Sequence, residues 1–274
     1  MMSSDRDAPE ARELYEHMRL TYSWLSSEEF DTLFNGSLSL PYGEASFSRE
    51  LVSRSSREKL LKNFLRRSSG TAVEYITGTA DFMGFTFEMA EGVFIPKNST
   101  EILVEKVLER SSPGMKLLDE GCGCGNIALC AAKLGNLSVT ACDINSAAVN
   151  LTRKNAEMLG ADINVLQSNL FSGIEGTFDI IASNPPYIRE GAALDKAVLS
   201  QPMEALFSGP DGLNCIRNIA GSARAYMNAG GRLFLEMGEG QQAHVEKILF
   251  NNGWKNINFY KDLSGLMRVA EASC

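Results

Sequence analysis

The sequence predicts an α/β chain, with a doubly wound parallel sheet following a smaller helical region. Three observations predict it. From Met115 onward, strand-like apolar runs alternate with helical stretches about 10–15 residues long, the pattern of a parallel sheet with helices on both faces. A glycine-rich turn, Asp119-Glu120-Gly121-Cys122-Gly123-Cys124-Gly125, separates the first strand from its helix. A stiff turn, Asn184-Pro185-Pro186-Tyr187, closes the apolar run Phe178-Asp179-Ile180-Ile181-Ala182-Ser183. Ligands bind at the carboxyl ends of such strands in open α/β sheets.

The totals agree with this class. The 274 residues suit one ordinary domain and a smaller one, and 44% hydrophobic with 22% charged residues is a globular composition. The net charge of −8 argues against a broad phosphate-binding face and so against nucleic acid as a partner. No apolar run approaches the ~18–20 residues of a membrane span. Met1 to Asp7 hold no signal-type apolar stretch. The six cysteines, Cys122, Cys124, Cys130, Cys142, Cys215 and Cys274, include no C-x-x-C pair, and there are two histidines. No metal site is expected; buried free thiols in a cytoplasmic protein are.

Taken in order, residues 8 to about 68 read as helical, with Leu14, Tyr15, Met18, Leu20, Tyr22 and Trp24 forming a rough apolar face. Ser26 reads as a helix cap with acids in the following turn. Leu51, Leu60, Leu61, Phe64 and Leu65 continue the pattern among Arg49, Arg54, Arg57, Lys59, Lys62, Arg66 and Arg67. This basic run reads either as a solvated face or as a partner-docking surface. Ser68-Ser69-Gly70-Thr71 breaks the helices. Tyr75–Gly78 and Phe82–Met89 alternate as strands do, giving a β-hairpin linker over residues 71–97 between a helical domain (1–70) and the main domain (98–274). Ser99 or Thr100 then reads as the cap of a helix.

Strands are expected near 115–119, 138–143, 163–166, 178–183 and 231–236, with helices at 127–134, 147–159, about 212–228 and about 240–251. Residues 188–209 show no clean period and read as a loop over the site. Two last strands, near 255–260 and 266–271, would close the sheet antiparallel, making seven in all.

The glycines at every second position let the backbone turn sharply and approach a ligand closely. A dinucleotide fingerprint would need a glycine where Asn126 or Ala128 stands, so a nicotinamide cofactor is disfavoured. Asp143 ends the second strand, where a carboxylate can accept ribose hydroxyls. Asn169, with Leu170 after it, ends the third, where it could meet an adenine edge. An acid before the glycines, a ribose acid, an adenine reader and no cluster of positive charge fit S-adenosylmethionine better than a phosphate-bearing cofactor. The expected cofactor set is Asp119, Gly121, Cys122, Gly123, Gly125, Asp143, Ile144, Asn169, Leu170 and Asn184. Prolines lack N–H groups and fix φ, so the Asn184–Tyr187 turn presents bare carbonyls. Asn184, Pro185 and Tyr187 together suit a planar nitrogen carrying N–H donors: an amide, an exocyclic amine or a guanidinium.

With these residues the chain resembles the glutamine N5-methyltransferases that modify the Gly-Gly-Gln loop of peptide-chain release factors. The likeness runs from about Glu74 to Ala272. Tyr75-Ile76-Thr77-Gly78 resembles that family's linker, Ile95 to Glu101 its Ile-Pro-Arg-Pro-Glu-Thr-Glu segment, and Asp119 to Gly125 its glycine loop. Ser183 to Ile188 is identical to its motif. Gly209 to Leu213, Leu235 to Gly238 with Gln241, and Lys261 to Gly265 with Arg268-Val269 also match. The resemblance implies a class I methyltransferase fold behind a small helical substrate-recognition domain, and catalytic roles for Asn184, Pro185 and Tyr187. Lys97, Asn98 and Ser99 stand where the family has Arg, Pro and Glu, and Gln201 where it has Glu. Ala72 replaces a proline and Asn169 an aspartate. A lysine does not copy arginine's bidentate fork. A protein acceptor such as a release factor and a small amide, amine or guanidine therefore both stand as readings, with a nucleic-acid base or a non-catalytic binding module behind them.

Overall fold

The computed structural model describes residues 8–274. The first seven residues, read above as lacking a signal-type stretch, lie outside them. The chain divides into two compact units: residues up to Gly78 together with Asp195–Ser200, and Thr79–Leu194 together with Gln201–Cys274.

The first unit holds α1 (Ala11–Thr21), α2 (Ser27–Leu38), α3 (Arg54–Ser68) and α4 (Val73–Thr77). Ser26 caps α2 as expected, accepting the Glu29 N–H at 3.1 Å, with Glu28 and Glu29 in the first turn. Ser53 caps α3 in the same way. Phe30, Phe34 and Phe64 are fully buried, and the Tyr15 and Phe64 rings meet Phe30 edge-on at 5.2 Å. Each such ring contributes on the order of 1.5–3 kcal/mol by burial.

Three expectations fail here. Residues 39–53 are not helical, since Ser39 leaves α2 in the left-handed conformation and Pro41 follows. Leu20 and Trp24 are exposed rather than part of the apolar face, and the Trp24 ring instead takes the Arg67 guanidinium, 5.4 Å from its centroid. Arg67 also pairs with Glu29 at 2.7 Å, so part of the basic run is structural. Val73–Thr77 is a helical turn, not a strand, because Gly78 at φ 81° closes it with its N–H on the Glu74 carbonyl.

The second unit opens with the expected hairpin, β1 (Thr79–Phe82) and β2 (Phe85–Glu88), turning at Met83-Gly84. There follow α5 (Glu101–Arg110), β3 (Lys116–Glu120), α6 (Asn126–Gly135), β4 (Ser138–Asp143), α7 (Ser146–Leu159), β5 (Asn164–Gln167) and β6 (Phe178–Ser183). After α8 (Lys196–Leu199), which counts with the first unit, come α9 (Asn214–Ser222), β7 (Met227–Glu236), α10 (Gln242–Asn251), β8 (Lys255–Lys261) and β9 (Met267–Ser273). The Asn155 amide stitches the hairpin to α7, accepting the Glu88 N–H at 2.8 Å and donating to the Glu88 carbonyl at 3.1 Å.

The seven-stranded sheet runs β5-β4-β3-β6-β7-β9-β8. Its first five strands are parallel, and β9 is antiparallel to both neighbours, as the sequence predicts. Leu117, Leu118, Ile180, Ile181, Leu233 and Leu235 are all buried in it. One boundary moves: β7 starts at Met227, shortening the helix expected to reach 228. Met227 pairs with Phe178, and the Asn228 amide donates to Asp179 at 2.7 Å, holding this stretch against β6. Strand order reverses between β3 and β6, which opens a crevice at their carboxyl ends. Among the described residues no helix is long and apolar enough to cross a membrane.

Candidate active site

Three strand ends meet at the crevice: Asp119-Glu120 on β3, Asp143 on β4 and Ser183-Asn184 on β6. They open onto a cavity of about 420 Å³, within the usual range of small-ligand sites (~300–1,000 Å³).

The glycine loop forms one wall. Gly121 and Gly123 both have positive φ, and a Cβ at either would meet no atom closer than the Ser183 hydroxyl at 4.0 Å, so both open onto the cavity. The Gly121 and Cys122 N–H groups donate to the Cys142 carbonyl at 2.9 Å each. The Gly123 N–H donates to Asp143 Oδ2 at 2.9 Å, and Asp143 Oδ1 takes the Asn145 N–H at 2.9 Å. Each Asp143 oxygen keeps lone pairs for a ligand. Burial raises its pKa, opposed by these amides. Ile144, Asn169 and Leu170 line the same side. The Ser168 hydroxyl donates to the Leu170 carbonyl at 2.7 Å and fixes that turn.

Two residues of the expected cofactor set do not line the cavity. Gly125 ends the loop at φ 88°, where a Cβ would sit 2.9 Å from Thr152 Cγ2; it lets α6 close on α7. Asp119 is fully buried behind the loop, and its Oδ2 accepts the Ala128 N–H of α6 at 3.0 Å. Burial pushes its carboxyl up to about 8. A carboxyl raised in the folded state binds more protons there than unfolded, so its contribution to stability falls as pH rises from about 4 to about 8. Asp119→Asn keeps an oxygen for Ala128 and removes that titration. The ligand-free protein should lose melting temperature between pH 5 and 8, and Asp119→Asn should flatten the slope. Parallel curves for the two proteins would contradict this account.

The Asn184–Tyr187 turn forms the other wall. The Asn184 side-chain N–H donates to the buried Thr100 hydroxyl at 3.1 Å. Thr100 therefore braces Asn184 instead of capping α5, where it makes no side-chain cap bond. This orients the Asn184 amide and leaves its Oδ1 without a partner among the described residues. Pro185 and Pro186 line the cavity with it. Tyr187 does not. Its hydroxyl turns inward and donates to Glu236 Oε1 at 3.2 Å, while its carbonyl accepts the Gln241 side chain at 2.9 Å. Phe94 and Phe207 are the aromatic rings on the cavity wall. Glu236, fully buried at the end of β7, has its carboxyl pushed up to about 7 by burial, against the pull of the Thr100 and Tyr187 hydroxyls and Arg268.

The loop expected over the site does border it, through Pro202, Glu204 and Phe207–Gly209. Ile188 and Ser208 pair it to the turn by two backbone hydrogen bonds of 2.9 Å. Gln201, one of the departures noted above, is buried and accepts the Ile95 N–H at 3.0 Å. An amide there satisfies a buried donor without a buried charge.

Sequence reasoning left out Thr100, Glu120, Glu236, Phe94 and Phe207. Thr100 and Glu236 lie in segments that carried the family likeness, but their roles arise from pairing across elements far apart in the chain. The cavity lining includes three carboxylates, Glu120, Asp143 and Glu204, and no lysine or arginine among the described residues. Such a lining favours a cation and disfavours a phosphate. The described residues bring together no three His, Cys, Asp or Glu side chains able to hold a metal ion.

Comparison with known proteins places this geometry. The family model described as "Methyltransferase small domain" matches residues 84–209. The release factor glutamine methyltransferase of Geobacter sulfurreducens is 36% identical over 209 residues, covering 74% of this chain and 74% of that protein. That of Neisseria gonorrhoeae is 39% identical over 210 residues, covering 74% and 77%. The chain belongs to the release factor glutamine methyltransferase family. The crystal structure of a methyltransferase from Pyrococcus furiosus agrees on the fold, with a TM-score of 0.57 at 20% identity over 77% of this chain and 98% of that one. As a member of this family the protein is a methyltransferase, and its sheet is the class I methyltransferase fold that the sequence predicts.

Proposed function

We propose that this methyltransferase transfers the methyl group of S-adenosylmethionine to the side-chain amide nitrogen of a glutamine in a peptide-chain release factor. The observation that carries this reading is the Asn184 amide, tied through its N–H to Thr100 with Oδ1 unpartnered among the described residues, next to Pro185 in a turn that lines the cavity. The lining fits the cofactor: open glycines, a ribose acid in Asp143, Asn169 near the base position, and carboxylates without competing cations. When bound, S-adenosylmethionine supplies an electrophilic methyl group on a cationic sulfur.

An amide nitrogen is a poor nucleophile, because its lone pair is delocalised into its carbonyl. The work left to the chain is orientation. Asn184 Oδ1 and the Pro185 carbonyl each accept one N–H of the acceptor, turning the nitrogen lone pair toward the methyl group. Alignment of this kind can lower a barrier by up to ~7–11 kcal/mol. Tyr187 anchors the turn from behind through Glu236. Transfer would leave the donor as its neutral thioether, and the proton displaced from the amide nitrogen would pass to solvent, since no side chain is assigned to take it. The test is a mass-spectrometric methylation assay with a release factor beside free glutamine and small amides. Methylation of the small compounds alone would overturn the protein-acceptor reading.

Acceptor selection belongs, in this reading, to the helical residues up to about 70, with 71–97 as linker, because every cofactor motif lies at or beyond Asp119. Changing Arg54, Arg57 and Arg66 together to Glu should raise the acceptor KM and leave cofactor affinity unchanged. An unaltered KM with the true acceptor would make the basic run a solvated face.

A further inference from the structure

One buried acid on the cavity wall has no part in the mechanism above. Glu120 is 7% exposed, yet it lines the cavity beside Gly121 and Asn184. The Ser183 hydroxyl donates between the Glu120 carbonyl, at 2.7 Å, and Oε2, at 3.2 Å. Oε1 has no hydrogen-bond partner among the described residues. The groups that face it are Asp143 and Cys142 of β4, Cys215 of α9 and Asp119 on its own strand. None carries a positive charge, and no lysine or arginine lines the cavity. A carboxylate in such surroundings is destabilised until a cation arrives. Burial accordingly pushes the Glu120 carboxyl up to about 7.

S-adenosylmethionine and its product, S-adenosylhomocysteine, differ by one methyl group and one positive charge. They share the adenosine, the ammonium and the carboxylate. Resting on the cofactor reading given above, we propose that Glu120 makes this cavity charge-selective: its carboxylate pairs with the cationic sulfur of the methyl donor and gains nothing from the neutral thioether product. The site then favours the loaded cofactor over the spent one, and transfer of the methyl group itself weakens the hold on the product. Asp143, which is aimed at hydroxyls common to both molecules, does not discriminate between them.

Calorimetric titration of the full chain with each of the two compounds tests this, with no need for the acceptor. Glu120→Gln keeps the side-chain shape and the Ser183 contact. It should weaken binding of the cation about ten-fold, the scale of a lost charge-assisted contact, and change the thioether by less than about three-fold. Glu120→Met, a second neutral variant, should give the same ratio. Asp143→Ala should weaken both compounds alike. In the unaltered protein the preference for the cation should grow from pH 6 to 8 as Glu120 ionises, and Glu120→Gln should reduce that growth, leaving the smaller part that Asp119 contributes from behind the glycine loop. If both neutral variants lose affinity for the two compounds equally, Glu120 holds the shared ammonium or only the fold, and the proposal fails. If neither compound binds the unaltered chain, the cofactor reading fails instead.

Discussion

Asn184→Ala should abolish methyl transfer while cofactor binding stays nearly intact. On the proposed mechanism the side chain holds the acceptor nitrogen, and truncation removes both its Oδ1 and the N–H that ties it to Thr100. With alignment lost, a fall in kcat of three or more orders of magnitude is expected, about 4 kcal/mol of barrier. Asn184→Asp sorts acceptor classes. It retains an oxygen for the acceptor N–H but places a charge beside a neutral amide, so a glutamine acceptor should be lost almost as completely. A guanidinium acceptor would pair with the new carboxylate and keep substantial turnover. Single-turnover kinetics with the identified acceptor decide the matter, and wild-type turnover in Asn184→Ala would reduce the turn to a stiff loop.

Gly212→Ala is expected to be nearly as damaging, although residue 212 lies outside the cavity lining. Gly212 has φ 76°, a conformation that alanine adopts only with strain, and an added Cβ would overlap the Tyr187 carbonyl oxygen and press on the Arg189 nitrogen at 3.0 Å. The first is a backbone atom of the turn carrying Asn184 and the second follows that turn directly, so relief requires the turn and its exit to move. Strain and overpacking together should lower stability by roughly 2–4 kcal/mol. The turn should also shift, lowering kcat more than cofactor affinity. Chemical denaturation and cofactor titration measure the two effects separately, and a variant with unaltered stability and turnover would contradict the contact.

The parallel sheet was legible in the sequence because β3, β6 and β7 each hold a short, fully buried apolar run, Leu117-Leu118, Ile180-Ile181-Ala182 and Leu233-Phe234-Leu235. The site was legible where one local segment makes one wall, as Gly121–Gly123 and Asn184–Pro186 do. It was illegible where two distant segments share a bond. Nothing near Thr100 announces that its hydroxyl receives the Asn184 amide, and nothing near Glu236 announces Tyr187. Tyr187 was expected to meet the acceptor together with Asn184 and Pro185; it lies off the cavity, and Phe94, from the linker, and Phe207, from the loop without a period, occupy the wall. Asp119 and Glu120 are adjacent acids, and strand alternation separates them, one behind the glycine loop and one into the cavity. The helical region misled where exposed Leu20 and Trp24 mimicked a core face.

The place of β9 between β7 and β8 bears on when the enzyme becomes competent. Glu236 ends β7, and among the described residues the flank of β7 away from β6 is paired by residues 269–273 of β9. During synthesis, the glycine loop and the Asn184 turn are both made while β7 is still a bare sheet edge with unpaired backbone groups. A nascent chain at that stage has every residue that lines the cavity, yet the strand bearing the Glu236 brace is unsupported on one side. Long-range pairing of this kind forms late and slowly. The Asn184 turn therefore gains its full support from β7 once residues 269–273 have been made. Until then the nascent protein exposes a sticky strand that chaperones would have reason to cover.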